Sequence, residues 1–160
     1  MKAKRPEIIL KHLLSGTGMT VSAAESCTGG MISHLITTVP GSSEYFLGSV
    51  TSYSPKIKTQ VLKVSPAIIQ DKGIVSSAVA EAMAEGVRKL TGSTFSVATT
   101  GWADSYGDEH EPAGTVWIGI SCPDGIFSVR FQNSGSRKQN INRFAEESLR
   151  ILTDLILNKI

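Results

Sequence analysis

The chain has 160 residues, of which 41% are hydrophobic, and its 16 Lys and Arg residues against 14 Asp and Glu residues give a formal net charge of +2. This length fits a single domain, residues 1–160, with a core of its own. Because the positive charges are dispersed and no apolar run is long enough to cross a bilayer, the sequence predicts neither nucleic-acid binding nor membrane insertion.

The cysteines and the N-terminus bear on the cellular compartment. Cys27 and Cys122 fall in separate predicted strand regions and lack the paired spacing of a zinc site. The basic residues 1–5 precede only a short apolar run, which makes a poor signal peptide. We therefore expect a cytoplasmic protein with free thiols.

The first part of the chain alternates helix and strand patterns, separated by glycine and proline turns. Two Ser–Pro pairs mark short helices, because serine is a common N-cap and proline fits the first helical position. In chain order we predict a helix at Pro6–Leu14, a strand over residues 19–26, a helix that opens at Thr28 or Gly29 and reaches Val39, a strand over residues 46–53, short helices after Ser54 and Ser65, and a longer helix that is capped by Ser76 or Ser77 and closed by Gly92.

The rest of the chain adds three strands and a last helix. Alternating strands and helices favour a layered α/β domain, and a hairpin between two of the strands makes its sheet mixed. The predicted elements are a strand over residues 94–100, a polar loop over 101–113, strands over 114–122 and 126–132 joined by the turn Pro123-Asp124-Gly125, and a final amphipathic helix capped by Ser136.

The segment Glu25-Ser26-Cys27-Thr28-Gly29-Gly30 lies where the first predicted strand meets the next helix. Paired glycines and small hydroxyl residues at such a junction allow a sharp turn and bring backbone N–H groups close to a ligand. Ser26 then lies at the carboxyl end of a strand, the side of an open α/β sheet where ligands bind. A tight turn in which Ser or Thr caps the helix would use the same residues.

Tyr53 ends the second predicted strand, and Lys58 follows in the first turns of the next helix. If the first two strands are neighbours, both side chains can reach Ser26. Serine beside lysine forms a nucleophile–base pair, and a tyrosine can relay or hold the proton. Lysine has an ordinary pKa of about 10.4 and must be desolvated to act as a base near neutrality. Taken alone, Lys58 also fits a solvated helix lysine, and Tyr53 an edge or core aromatic.

The chain resembles the CinA C-terminal domain family, the nicotinamide-nucleotide amidohydrolases. The matching segments are AESCTGG at residues 24–30, VPGSSEYFLGSVTSYS at 39–54, GIVSSAVAEAMAEGVRKL at 73–90 and AGTVWIGIS at 113–121. These motifs occur in the family's order, and the resemblance covers nearly the whole chain from about Thr20 onward.

The resemblance implies a three-layer α/β/α sandwich around a mixed, mostly parallel sheet of about five strands. It implies hydrolysis of nicotinamide mononucleotide to nicotinic acid mononucleotide and ammonia, without a metal or other cofactor, and we expect a homo-oligomer. The family's catalytic residues correspond to Ser26, Tyr53 and Lys58. The backbone N–H groups of Cys27 and Thr28, with the helix N-terminus behind them, are expected to hold the oxyanion, and Gly29 and Gly30 complete this turn.

The loop after the third strand departs from the family's glycine-rich pattern. Thr100 and Gly101 match it and are expected to line the substrate site, but Asp104 replaces a glycine and Ser105 a proline. The added carboxylate is expected to disfavour a phosphorylated substrate, unless the loop turns away and its acids are solvated. Three further acids follow in the loop and are expected to add more negative charge beside the site: Asp108, Glu109 and Glu111.

Arg137 matches a Gly-x-Arg pattern of the family ahead of the last helix, where it would hold a phosphate or remain a surface arginine. Three hypotheses follow for the whole chain. It deamidates nicotinamide mononucleotide, it keeps the Ser–Tyr–Lys set but acts on another amide or ester, or it is a binding or regulatory paralogue.

Overall fold

A mixed sheet forms the middle layer of the structure, a computed structural model that describes residues 5–158. Residues 1–4 of the predicted basic start, and residues 159–160 of the predicted 1–160 domain, lie outside the described residues. The strands within this range are β1 (Val21–Glu25), β2 (Phe46–Thr51), β3 (Phe95–Gly101), β4 (Thr115–Cys122) and β5 (Gly125–Gln132). The helices are α1 (Pro6–Leu14), α2 (Met31–Thr37), α3 (Pro55–Gln60), α4 (Pro66–Lys72), α5 (Ser77–Thr91) and α6 (Arg137–Leu157), with one 3₁₀ turn at Ser42–Glu44.

The strands are ordered β2-β1-β3-β4-β5 across the sheet. β1 pairs in parallel with both β2 and β3, whereas β4 runs antiparallel to β3 and to β5. Of the five described strands, β4 alone therefore points the other way. The predicted mixed, mostly parallel sheet is confirmed.

Helices cover both faces of the sheet and enclose two apolar cores. α1, α2 and α6 pack on one face, where Ala23 of β1 joins the core around Phe144. α4 and α5 pack on the other face, where Ala24 of β1 meets Val79 and Met83 of α5. Successive residues of β1 thus face opposite cores, as the pleat of a strand requires, and the three-layer arrangement is confirmed.

The connection that follows β1 and the connection that follows β2 lie on opposite faces of the sheet, and this topology marks where a ligand can bind. α2 connects β1 to β2 on one face, whereas α3 to α5 cross from β2 to β3 on the other face. A crevice opens at the carboxyl end of the strand where such a topology reverses, and it is the common ligand site of open α/β sheets. Here that strand is β1, and the residue that follows it is Ser26.

The predicted start of α2 at Thr28 or Gly29 is wrong, because the helix begins at Met31. Gly29 and Gly30 have φ values of +57° and +101°, in the region that side chains other than glycine disfavour. The two glycines therefore turn the chain before the helix can begin. Ser54, Ser76 and Ser136 each accept a capping hydrogen bond from the backbone, as predicted. Ser65 precedes α4 at the predicted position, but its side chain makes no capping hydrogen bond, which corrects its predicted role as an N-cap.

The contact between α5 and the segment after α3 gives a testable prediction. A Cβ atom at Gly86 would overlap the carbonyl oxygen of Leu62. We expect Gly86→Ala to lower the free energy of unfolding by about 2 kcal/mol, because overpacking outweighs the roughly 1 kcal/mol by which alanine favours a helix. Urea denaturation measures the change, and Glu85→Ala, at the adjacent half-exposed position, should change it by less than about 0.5 kcal/mol. A Gly86→Ala protein as stable as the wild type would contradict this contact.

Candidate active site

A cleft of about 170 Å³ lies at the carboxyl edge of β1, β2 and β3. Its lining includes Ser26, Tyr53 and Lys58, and four of the seven residues predicted to bind the oxyanion or substrate: Cys27, Thr100, Gly101 and Arg137. Thr28, Gly29 and Gly30 lie in the adjoining turn but are not part of the lining. The parallel pairing of β1 with β2 brings Ser26, Tyr53 and Lys58 together, because the carboxyl ends of parallel strands share one edge of the sheet.

Ser26 and Lys58 form the central contact of the cleft. Lys58 Nζ lies 2.8 Å from Ser26 Oγ and 2.6 Å from the carbonyl oxygen of Ser52, to which it donates a hydrogen bond. As a neutral amine, Lys58 can accept the Ser26 hydroxyl proton through its lone pair while still donating to Ser52. This is the geometry of a nucleophile beside its base.

Lys58 is held in the protein interior, with only 1% of its surface exposed. Burial lowers the pKa of its amine to about 8, because desolvation disfavours the ammonium form. Roughly one molecule in ten then carries a neutral Lys58 at pH 7, and the neutral form dominates at pH 9. The Lys58 amine is therefore poised to lose its proton just above neutrality.

Glu25 is buried directly before Ser26 and fixes the turn around it. Its carboxylate accepts hydrogen bonds from the backbone N–H groups of Ile32 (2.7 Å) and Ser33 (3.1 Å) and from the hydroxyls of Thr28 (2.8 Å) and Ser33 (2.6 Å). The first turn of α2 is thus occupied by Glu25. This corrects the expectation that the helix N-terminus stands behind the oxyanion.

Two backbone donors remain next to the serine. The Ser26 N–H donates to the carbonyl of Thr99 on β3, but within residues 5–158 the N–H groups of Cys27 and Thr28 form no hydrogen bond to another residue. The Thr28 side chain points elsewhere, since its hydroxyl bonds to Glu25 and to the Thr99 hydroxyl. The Cys27 and Thr28 N–H groups are therefore available to a developing oxyanion.

Cys27 adjoins the nucleophile but is poorly suited to replace it. The residue is buried, and burial raises the pKa of its thiol to about 12, although the Thr99 hydroxyl and Lys58 act in the opposite direction. Because the thiolate is the reactive form of cysteine, this thiol is inert near neutral pH. Its place in the core agrees with its interpretation as a small buried residue.

Tyr53, Asp104 and Arg137 meet at the entrance of the cleft. Arg137 donates one hydrogen bond to the Tyr53 hydroxyl (3.0 Å) and another to the Asp104 carboxylate (2.5 Å). These two contacts raise the pKa of the Arg137 guanidinium, the bond to Tyr53 first. The Tyr53 ring is 62% exposed, and its hydroxyl contacts Arg137 rather than Ser26, in contrast to Lys58.

The altered loop after β3 places its acids in different surroundings. Asp104 lines the cleft, so the alternative that the loop turns away is wrong for this residue. Glu111 instead accepts hydrogen bonds from Trp117 and Arg130, and the Asp108 carboxylate accepts two backbone N–H groups within the loop. Asp108, Glu109 and Glu111 lie outside the cleft lining, which corrects the expectation that they add charge to the site.

Thr100 and Gly101 stabilise the wall of the cleft through contacts within the protein. The Thr100 hydroxyl donates to the carbonyl oxygen of Ile74 (2.7 Å) and so ties β3 to the segment before α5. A Cβ atom at Gly101 would lie 2.9 Å from the Cα atom of Val116 on β4. The glycine is therefore explained by close strand packing, without a ligand.

Fold and site together define an α/β domain in which a partly exposed serine contacts a buried lysine at the reversal point of a mixed sheet. The model of the CinA C-terminal domain family matches residues 4–156. The chain therefore belongs to the CinA C-terminal domain family, and the resemblance seen in its motifs is confirmed.

Individual relatives agree with this assignment. The chain is 45% identical over 153 residues to a CinA-like protein of Desulfotalea psychrophila, covering 95% of this chain and 37% of that protein. It is 46% identical over 144 residues to a CinA-like protein of Desulfosudis oleivorans, covering 87% and 35%. The chain thus spans about a third of the length of these curated relatives.

Solved structures share the fold. The competence damage-inducible protein A from Klebsiella pneumoniae superposes with a TM-score of 0.90 at 25% identity, over 93% of each chain. The competence/damage inducible protein CihA from Agrobacterium tumefaciens superposes with a TM-score of 0.88 at 26% identity, over 97% of this chain and 98% of that one.

Sequence reasoning missed several residues that shape the site. Glu25 caps a helix that begins six residues later, so no local capping pattern reveals it. The carbonyl of Ser52 carries no side-chain signal at all. Trp102 and Tyr106 also line the cleft, and two aromatic side chains in an otherwise polar loop were the signal that could have marked them.

The burial of Lys58 gives a prediction for stability. A lysine whose pKa falls from 10.5 when unfolded to about 8 when folded contributes a free energy of unfolding that rises as the pH increases between these values. We expect the wild type to gain about 2 kcal/mol relative to Lys58→Met between pH 7 and pH 10. Urea denaturation at several pH values measures this difference, and Lys56→Met, an exposed position on the same helix, serves as control. Parallel pH curves for the wild type and Lys58→Met would contradict the lowered pKa.

Proposed function

We propose that this domain is a serine amidohydrolase that hydrolyses the carboxamide of nicotinamide mononucleotide or a related nicotinamide compound, forming a carboxylate and ammonia. The observation that carries the proposal is the contact of 2.8 Å between Ser26 Oγ and the buried Lys58 amine. A surface lysine would stay protonated at neutral pH, whereas this one has a pKa of about 8. Membership of the CinA family supports the choice of substrate through the motifs that the chain shares.

In the proposed first half-reaction, Lys58 takes the Ser26 proton while Ser26 Oγ attacks the amide carbon. The negative charge moves to the amide oxygen, where the N–H groups of Cys27 and Thr28 can hold it. Lys58 then returns the proton to the amide nitrogen, the carbon–nitrogen bond breaks, and ammonia leaves. The product is an ester between Ser26 and the substrate's acyl group.

The second half-reaction reverses these roles with water. Lys58 takes a proton from the water that attacks the ester carbon, and the same N–H groups hold the oxyanion. The proton passes to Ser26 Oγ as the carbon–oxygen bond breaks, releasing the acid and restoring the enzyme. Tyr53 enters the proposal as a residue of the entrance, because its hydroxyl accepts a hydrogen bond from Arg137.

A second candidate is a paralogue with weak or no activity on nicotinamide mononucleotide, acting on another amide or serving in binding or regulation. The pairing of Asp104 with Arg137 favours it, because this carboxylate occupies the guanidinium expected to hold a phosphate.

No helix among the described residues is long and apolar enough to cross a bilayer. A cytoplasmic location and a homo-oligomeric state stay predictions.

Replacing the nucleophile tests the reaction directly. We expect Ser26→Ala to lower kcat for ammonia release by roughly four to six orders of magnitude, as in other hydrolases that lose their nucleophile. Ammonia is measured with a coupled assay on nicotinamide mononucleotide. Ser121→Ala is the control, because it removes the same hydroxyl group at a site that lies on β4 away from the cleft, where the Ser121 hydroxyl has no partner among the described residues. Unchanged turnover in Ser26→Ala would exclude the serine mechanism.

The pH dependence tests the role of Lys58. Since the base must be neutral, kcat/KM should rise with a pKa of about 8, giving about a tenfold increase from pH 7 to pH 9. Steady-state rates across this range, with circular dichroism to verify folding at each pH, measure the profile. A profile that is flat, or that falls toward pH 9, would mean that Lys58 is not the base.

A further inference from the structure

The entrance of the cleft carries one guanidinium, and a carboxylate of the same chain already holds it. Arg137 bridges the Tyr53 hydroxyl and Asp104, and the Asp104 side chain is only about one-third exposed (34%). The ion pair and the second hydrogen bond together fix the orientation of the Arg137 guanidinium. The Arg137 guanidinium is thus already paired with groups of the protein before a ligand binds.

The charges of the cleft leave little to attract an anion. Among the described residues that line it, the cations are Lys58 and Arg137 and the one carboxylate is Asp104. Arg137 is neutralised by Asp104, and Lys58 must be neutral to act as the base. A phosphate at the entrance would have to displace Asp104 from Arg137 and would leave that carboxylate unpaired beside a dianion.

A phosphate would also oppose the chemistry of the proposed reaction. A dianion near the cleft favours the ammonium form of Lys58 and so reduces the fraction of enzyme with a neutral base. The site therefore discriminates against a phosphorylated substrate both when it binds and when it reacts.

Aromatic side chains also line the entrance of the cleft. Trp102 and Tyr106 line the cleft with their ring centroids 6.2 Å apart, and Tyr53 lies at the same entrance. The indole N–H of Trp102 is buried and has no hydrogen-bond partner in residues 5–158, so it is the aromatic faces that are offered to a ligand. Aromatic faces suit a planar aromatic cation, such as a pyridinium substituted at its ring nitrogen.

We propose that the Asp104–Arg137 pair makes this site select N-substituted nicotinamides without a phosphate, such as the nicotinamide nucleoside, over their 5′-phosphorylated forms. The inference rests on the proposed amidohydrolase function and names the substrate class of the same cleft. Asp104 acts as a specificity determinant, because it excludes a phosphate by occupying Arg137.

The test compares kcat/KM for ammonia release from nicotinamide riboside and from nicotinamide mononucleotide. We expect the wild type to prefer the riboside by about tenfold or more, the size expected for one unfavourable charge contact near a surface. Asp104→Asn, which removes the charge and keeps the shape, should shift the ratio toward the mononucleotide by about tenfold. Adding Arg137→Gln to Asp104→Asn should cancel that gain, because the guanidinium is then absent.

Glu109→Gln is the matched control, since it removes another carboxylate of the same loop, one that is exposed and outside the cleft lining. Its riboside-to-mononucleotide ratio should equal that of the wild type. A wild type that prefers the mononucleotide, or a ratio that Asp104→Asn leaves unchanged, overturns the inference while the proposed amidase function stands.

Calorimetric binding to Ser26→Ala decides the inference without turnover. This protein should bind the riboside more tightly than the mononucleotide, and Ser26→Ala combined with Asp104→Asn should lose that preference. Equal affinities in Ser26→Ala overturn the inference. If the wild type releases ammonia from neither compound, the proposed function fails, and the calorimetric comparison still shows whether Asp104 sets the preference of the cleft.

Discussion

The structure of the site depends on the burial of one lysine. Lys58 enters the cleft from the first turns of α3 and meets, among the described residues, two polar partners, the Ser26 hydroxyl and the Ser52 carbonyl. Two hydrogen bonds do not replace the hydration of an ammonium ion, so the pKa falls to about 8. The same desolvation that costs the fold stability leaves part of the amine unprotonated near neutral pH, as the proposed role of Lys58 as a base requires.

The turn that carries Ser26 is held by a second buried charge. Glu25 lies at the end of β1, between its partners on β2 and β3, and its carboxylate is satisfied by four hydrogen bonds from the turn and the first turn of α2. Buried carboxylates are tolerated when they are satisfied in this way. Because Glu25 holds both Thr28 and α2, the Ser26–Gly30 turn is anchored on each side, and the unbonded N–H groups of Cys27 and Thr28 are kept beside Ser26.

The entrance of the cleft is formed in part by the loop after β3. This loop brings Asp104 to Arg137 and adds the rings of Trp102 and Tyr106. The serine–lysine contact does not depend on these loop residues, since β1, β2 and α3 position it. The proposed reacting groups and the proposed specificity groups therefore lie on separate elements, so that loop residues can change specificity while the pair remains intact.

The sequence by itself determined the elements and the layered class of the fold, and it indicated Ser26 and Lys58 as the candidate reacting pair. Periodicity and capping residues are local signals, and the family resemblance points to Ser26 in the ESCTGG motif and to Lys58 five residues after the tyrosine of the SYS motif. Only the tertiary structure decided the lowered pKa of Lys58, the capping of α2 by Glu25 and the ion pair between Arg137 and Asp104. The first and the last depend on contacts between residues distant in the chain, 32 positions apart for Lys58 and Ser26 and 33 for Arg137 and Asp104. Glu25 reaches Ile32, seven positions on, which is beyond the span of a local capping pattern. The desolvation and pairing of charges are set by such neighbours, which no local pattern encodes.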